Sequence, residues 1–221
     1  IADGSSIVGP LADARVAGGT VRGTAPHASY ASAVLFADAG RLCLLPLADR
    51  APRGWRQFDG TAAAEVTVAR DAAVVVAQGE AAVDAWRLAL AAARVGRIAE
   101  GVGLARTVLD ATAEYLRTRR QFGQPIGRFQ ALAHRMADLA ILHEQAQSLA
   151  WAAAMKLDAA DGARTLDAAQ VMAHRALRAI GQEAIQLHGG IGMTDELAVS
   201  HYVKRLLAIE VELGDADTAL A

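Results

Sequence analysis

Short apolar runs separated by turn residues fill the first third of the chain. Three of these runs have strand length and two are weaker candidates: 33–36, 41–45 and 64–68, then 16–23 and 55–58. The turn residues Asp38-Ala39-Gly40 predict a hairpin between the first two runs. The pattern therefore predicts a small β region over residues 1–75, in which no long helix fits.

From about residue 80 onward, apolar positions recur every three or four residues, which is typical of amphipathic helices. One such stripe runs from Val95 to Leu116, a second from Phe129 to Leu139 and a third from Ala173 to Leu187. The apolar stretch from Ala72 to Val108 is interrupted by charged side chains. It therefore predicts a soluble helix rather than a membrane span.

Glycine and proline separate the predicted helices. Gly123 and Pro125 divide the first from the second, and Asp161-Gly162 divides the second from the third. A glycine-rich run at 188–192 ends the third helix, and Thr194 or Asp195 is expected to N-cap a fourth. Long helices joined by short loops predict an antiparallel four-helix bundle over residues 76–221. The predicted fold class is α+β, mostly α.

Composition excludes several function classes. The 221 residues carry 22 basic and 24 acidic side chains and a formal net charge of -2, which argues against a nucleic-acid or membrane-surface partner. Cys43 is the single cysteine, so a disulfide within the chain or a thiolate metal cluster cannot form. No glutamate has a histidine three residues later, as di-iron bundles require, and no metal site is predicted. No signal peptide is apparent, and a cytoplasmic location is expected.

The first candidate site is the end of the first long helix. Arg117, Arg119 and Arg120 cluster there and are followed by Phe122 and Gly123. Guanidinium forks suit phosphate oxygens, and an exposed ring beside them suits a base. The alternative is that the cations only complement the helix dipole while Phe122 packs on the core.

The second candidate site is the glycine-rich run at 186–192, Gln-Leu-His-Gly-Gly-Ile-Gly. Glycines let a backbone approach a ligand closely, and amides opening the next helix favour an anion. The alternative is a tight turn between helices. His188 by itself is expected to be a polar loop residue rather than a ligand.

The two motifs together resemble the acyl-CoA dehydrogenase family. The resemblance lies in Arg-x-x-Phe-Gly-x-Pro-Ile at 119–126 and Gln-Leu-His-Gly-Gly-x-Gly-Met-Thr at 186–194. Phe-Gln-Ala-Leu at 129–132 and Met-Ala-Asp-Leu at 136–139 match as well. Residues 1–75 are similar to a reduced version of the family's middle β domain, and the amino-terminal helical domain is absent from this sequence.

The resemblance implies an FAD half-site. In the family, the carboxy-terminal bundle of one subunit contacts the ADP half of an FAD that its neighbour mainly binds. By position, Arg119 meets the pyrophosphate and Phe122 lies against the adenine end. Gln186, Gly189 and Gly190 contact the pyrophosphate and the adjoining ribose.

The family's catalytic base is not found at its expected positions. Most members have a glutamate before a Gly-Thr pair, where this chain has Leu213 followed by Gly214. A smaller group places the base near the start of the first long helix, where the count falls on Ala93. Glu212 is one residue away, which turns a helical side chain by about 100°. The middle domain's flavin-ring tryptophan is also missing from residues 21–27.

Three hypotheses follow. In the first, the chain is the subunit without a base in a heteromeric, α2β2 acyl-CoA dehydrogenase, in which a paralogous subunit supplies the glutamate. In the second, it forms a self-sufficient homotetramer with a displaced base, for which Glu212 and Glu80 are the candidates. In the third, it is a structural or interaction bundle without cofactor. The first two imply FAD, an acyl-CoA substrate from fatty acid or steroid side-chain catabolism, and an electron-transfer flavoprotein as acceptor.

Overall fold

The computed structural model describes residues 8–26, 30–47 and 53–214. Contacts divide the chain into two compact units, 1–90 and 91–221. The division falls inside the first long helix, and the assignment of 1–75 and 76–221 to two domains stays a prediction.

The described residues of the first unit contain eight strands in two sheets. Their bounds are β1 Val8–Pro10, β2 Arg15–Ala17, β3 Thr20–Pro26, β4 Ala33–Asp38, β5 Arg41–Pro46, β6 Arg53–Arg56, β7 Ala62–Ala69 and β8 Val74–Gln78. One sheet has the order β1-β4-β5-β8 and the other β2-β3-β7-β6. Alternate side chains from both sheets form one apolar core, with Val21, Phe36, Leu45 and Val66 almost fully buried.

The three predicted strands are confirmed as β4, β5 and β7. β4 and β5 pair antiparallel, and Ala39 and Gly40 turn the chain between them with φ of 47° and 75°. Residues 16–23 form the β2–β3 hairpin, and the strand predicted at 55–58 lies two residues earlier, as β6.

The prediction that helix extends back to Ala72 is wrong, because β8 occupies Val74–Gln78 and pairs with β5. Three consecutive β-branched valines favour extended backbone over helix. Gly79, at φ 83°, then redirects the chain before the helix begins at Glu80.

The four predicted helices are confirmed. Their bounds are α1 Glu80–Thr118, α2 Gln130–Met155, α3 Gly162–His188 and α4 Ala198–Glu212. Successive helices run in opposite directions, as the pairing of Arg135 near the start of α2 with Glu183 near the end of α3 indicates. Within the described ranges, no helix has the length and apolar character needed to cross a membrane.

Alternating directions make α1 and α3 parallel, and this places the functional residues. In the first half of each helix, Arg94 on α1 donates hydrogen bonds to Asp167 and Gln170 on α3. In the middle, the backbone of Gly101 passes so close to Leu177 that a Cβ on the glycine would lie 2.7 Å from its Cδ1. The ends of α1 and α3 therefore lie side by side.

The expected N-cap of α4 is wrong. The helix begins at Ala198 with Leu197 at the cap position, and no side chain caps it. Thr194 and Asp195 lie one turn earlier and have other partners, because the Thr194 hydroxyl donates to the Ile191 carbonyl and Asp195 pairs with Lys204.

Candidate functional site

Tyr115 and His188 join the ends of α1 and α3. Their rings stack with centroids 4.4 Å apart, and the Tyr115 hydroxyl donates to the His188 carbonyl over 3.3 Å. His188 is buried as the last residue of α3, so its expected place in a polar loop is wrong. Because Tyr115 lies one turn before the first motif and His188 lies within the second, the contact brings both motifs to one end of the bundle.

A two-residue hairpin presents Phe122. Strands β9 (Arg120–Gln121) and β10 (Gln124–Pro125) pair antiparallel, and Phe122 and Gly123 connect them with φ of 52° and 80°. Such a turn normally takes Asn-Gly, and a bulky residue at positive φ costs about 1–3 kcal/mol. The strained turn leaves the Phe122 side chain 90% exposed, in edge contact with Phe129. An aromatic ring that is kept exposed by a strained backbone is typical of a binding residue rather than a core residue.

Arg119 has a fixed backbone and a guanidinium available for binding. Its amide donates to the Tyr115 carbonyl over 2.8 Å, and its carbonyl accepts from the Ile126 amide over 2.9 Å. Arg117 pairs with Glu114, and Arg120 donates to the Gly123 carbonyl. Within the described part of the chain, the exposed Arg119 side chain has neither an ion pair nor a hydrogen bond. Of the three arginines, Arg119 is therefore the one whose charge is not already engaged.

The glycine pair after α3 offers open backbone. Gly189 caps the helix at φ 69°, a conformation that side chains rarely adopt. At both Gly189 and Gly190, an added Cβ would have no atom within 4 Å. Gln186, one turn before Gly189, is exposed at the same helix end. A ligand can therefore approach the backbone closely at this point, next to a polar side chain.

The five residues predicted to contact FAD thus gather at one end of the bundle. They offer a free cation, an outward ring, an amide side chain and an open backbone, which together suit a diphosphate linked to a flat base. All five are exposed, so they form one wall of a site rather than an enclosed cavity.

Leu213, at the expected base position, is built into the bundle. Its side chain is buried, and its carbonyl accepts a 2.8 Å hydrogen bond from Gln170 Nε2. Its amide donates to the Ile209 carbonyl and closes the end of α4. An apolar side chain there cannot remove a proton.

Glu212 is held by two arginines. Its carboxylate receives Arg97 Nε at 2.8 Å and Arg205 Nη1 at 2.9 Å, and Glu100 bonds to the same two arginines. Burial alone would raise the pKa of Glu100, but hydrogen bonds from Arg205 and Arg97 lower it below the usual value. This four-residue network joins α1 to α4, and Glu212 would have to leave it to act as a base.

The other two positions considered for a base lie on α1. Glu80 is exposed in its first turn, and Ala93 is exposed further along. Neither position provides a desolvated carboxylate, which general-base catalysis on an acyl thioester needs.

Sequence reasoning did not identify Tyr115, the residue that connects the two motifs. The sequence does show that Tyr115 lies four residues, or one helical turn, before Arg119. Its partner His188, however, is distant in sequence. Only the parallel arrangement of α1 and α3 brings the two rings together.

Comparison with known proteins places the bundle in a family. The family profile described as acyl-CoA dehydrogenase, C-terminal domain, matches residues 83–220. The acyl-CoA dehydrogenase IpdE2 of Mycobacterium tuberculosis is 44% identical over 109 residues, which make up 48% of this chain and 32% of that protein. The human mitochondrial short-chain specific acyl-CoA dehydrogenase is 30% identical over 125 residues, or 56% of this chain and 30% of that protein.

The similarity extends to solved structures. A variant of the Tcur3481–Tcur3483 steroid ACAD superposes with a TM-score of 0.79 and 27% identity, covering 97% of this chain and 60% of that one. The matches span about a third of the curated relatives and about three-fifths of this solved chain.

Proposed function

Because the chain belongs to the acyl-CoA dehydrogenase family, we propose that it is a subunit of an FAD-dependent acyl-CoA dehydrogenase that holds the cofactor without supplying the base. A paralogous subunit carries the glutamate and most of the substrate pocket, in an α2β2 assembly. The observation that carries this proposal is a contrast between two positions. The five exposed residues Arg119, Phe122, Gln186, Gly189 and Gly190, here called the cofactor wall, are open to a ligand. The position expected for the base is instead filled by buried Leu213.

The cofactor wall fits the ADP half of FAD. Arg119 supplies a guanidinium for the pyrophosphate, and Gly189 and Gly190 leave room for the phosphates or ribose to reach the backbone. Phe122 offers its face to the adenine, and Gln186 offers an amide to the ribose. When bound, FAD supplies the hydride acceptor for α,β-dehydrogenation of an acyl-CoA thioester. This chain's residues only anchor and orient its distal half.

The missing base supports the division of labour. Leu213 has no titratable group, and Glu212 is tied to Arg97 and Arg205. Proton removal from the acyl-CoA is therefore assigned to the partner. The solved relative named for two proteins, Tcur3481 and Tcur3483, and for a steroid substrate supports a heteromeric enzyme acting on a bulky acyl-CoA. An electron-transfer flavoprotein is the expected electron acceptor.

The proposal is tested by dye reduction with acyl-CoA, using the chain alone and the chain co-expressed with its paralogue. Only the co-expressed sample is expected to reduce the dye. Leu213→Glu, assayed alone, is expected to stay inactive, because one carboxylate does not replace the flavin-ring and substrate walls.

Leu213→Gln is the matched control, since it introduces a polar group of the same size without a charge. Turnover by the wild-type chain alone would contradict the proposal. Turnover by the glutamate variant alone, with the glutamine variant inactive, would show that this chain holds a nearly complete site.

A further inference from the structure

The turn formed by Gly189 and Gly190 does not set its own conformation. Glycine adopts positive and negative φ about equally readily, so two glycines in succession leave the backbone a wide choice. Gly189 nevertheless has φ 69° and ψ -150°, a combination that is open to glycine almost alone. A turn that keeps one such conformation must be held by residues outside it.

The peptide group between His188 and Gly189 is held at both ends. Its carbonyl, on His188, accepts a hydrogen bond from the Tyr115 hydroxyl over 3.3 Å. Its amide, on Gly189, donates to the carbonyls of Ile185 and Gln186 and so closes α3. Because a peptide group is planar, fixing the carbonyl and the amide fixes the orientation in which the chain enters the turn.

The His188 side chain is fixed by the same neighbour. Its ring stacks on the Tyr115 ring, and its Nδ1 lies 2.8 Å from the Ala184 carbonyl. A carbonyl oxygen can only accept, so Nδ1 carries the proton and donates to it. Among the described hydrogen bonds and ring contacts, those of Tyr115 alone tie His188 to another helix.

The far side of the turn is held by packing. A Cβ on Gly192 would lie 2.9 Å from the Ile185 carbonyl oxygen, so the chain after the turn lies directly against α3. Between this contact and the Tyr115 contact, Gly189 and Gly190 are open, since a Cβ on either would meet no atom within 4 Å. The part of the turn that a ligand can approach therefore lies between two fixed points.

Tyr115 contacts the other motif through its main chain. Its carbonyl accepts from the Arg119 amide over 2.8 Å and from the Thr118 hydroxyl over 3.3 Å, where α1 ends. One residue thus contacts both motifs, through its side chain in one case and its backbone in the other. A substitution of the side chain leaves the bond to Arg119 in place, so the two contacts can be tested separately.

We propose that Tyr115 is a positioning residue for the cofactor. Acting through His188, it sets the backbone of Gly189 and Gly190 in the conformation that receives the ADP half of FAD. The inference rests on the proposed function and deepens it, because the affinity for FAD then depends on a hydroxyl group that belongs to neither motif.

Tyr115→Phe tests the proposal, since it removes the hydroxyl and keeps the ring that stacks on His188. The bond is long for an O–H donor, so its contribution lies near the lower end of the usual range. The assembled enzyme, freed of flavin and titrated with FAD, is expected to bind it about twofold to fivefold more weakly. Tyr115→Leu also removes the ring stacking and is expected to weaken FAD binding at least about tenfold.

Tyr202→Phe is the matched control. Tyr202 is half-buried on α4, and its hydroxyl has no hydrogen bond to any residue that the structure describes. This variant loses the same atom from the same residue type and is expected to bind FAD as the wild type does.

Two readouts separate positioning from a general loss of stability. In a Gly190→Val background the ligand no longer reaches the backbone, so adding Tyr115→Phe is expected to weaken FAD binding no further. In the flavin-free enzyme, Tyr115→Phe is expected to speed hydrogen exchange at the amides of 189–192 and to leave exchange around Leu177 unchanged. A general loss of stability would add to the effect of Gly190→Val and would speed exchange in both regions.

Two results would overturn the proposal. One is unchanged FAD affinity in Tyr115→Leu, and the other is an equal further loss when Tyr115→Phe is added to Gly190→Val. If Arg119→Ala weakens FAD binding while both Tyr115 variants do not, only this inference fails. If none of the three variants changes the affinity, the cofactor assignment fails with it.

Discussion

Gly190→Val is expected to strip FAD from the assembled enzyme while leaving the fold of this chain intact. A Cβ at Gly190 meets no atom within 4 Å, and the residue is not at positive φ, so valine fits the free chain. The branched side chain would instead fill the space through which a ligand reaches the backbone. We expect FAD to bind at least about tenfold more weakly, which corresponds to 1.4 kcal/mol.

Arg119→Ala is the electrostatic counterpart. Hydrogen bonds to charged groups contribute about 1.5–3 kcal/mol, so loss of the Arg119 guanidinium should weaken FAD binding about tenfold to a hundredfold. Arg117→Ala is the matched control, because Arg117 is exposed at the same helix end but paired with Glu114. The measurement is the ratio of flavin to protein absorbance after gel filtration, with the thermal midpoint of each variant. Unchanged flavin in both Gly190→Val and Arg119→Ala would favour a bundle without cofactor.

Leu177→Ala is expected to destabilise the bundle more than any change at its surface. Leu177 is fully buried on α3 and fills the space left by the absent side chain of Gly101 on α1. Truncating a fully buried leucine costs about 2–5 kcal/mol, because a cavity remains. Denaturant unfolding followed by helical circular dichroism measures the change.

Val211→Ala provides the comparison, since Val211 is exposed on α4 and should change the free energy of unfolding by less than about 0.5 kcal/mol. Equal effects of the two substitutions would show that α1 and α3 do not pack through this contact.

Strand and helix positions were predictable where one periodicity dominated. Short apolar runs bounded by turn residues predicted β4, β5 and β7, and apolar positions three or four residues apart predicted α1 and α3. The secondary structure around β8 was not predictable, because the apolar residues from Ala72 onward fit the period of a strand as well as that of a helix. There the β-branched Val74–Val76 and the turn at Gly79 decided the outcome.

The sequence predicted which kinds of residue form the candidate site, but it did not predict how they are arranged in space. Arginine, an aromatic ring and paired glycines indicated a nucleotide-like ligand. Sequence could not show that Phe122 lies in a strained turn or that the Tyr115–His188 contact brings the two motifs together. Nor could it show that Arg97 on α1 joins Arg205 in holding Glu212, because Arg97 is more than 100 residues before the other two, which lie two turns apart on α4.

The division of labour between two subunits is tested most directly by native mass of the purified assembly, with flavin counted per chain. We predict one FAD for every two chains of different sequence, with this chain colourless when purified alone. One FAD per copy of this chain, in an assembly containing no other subunit, would contradict the account.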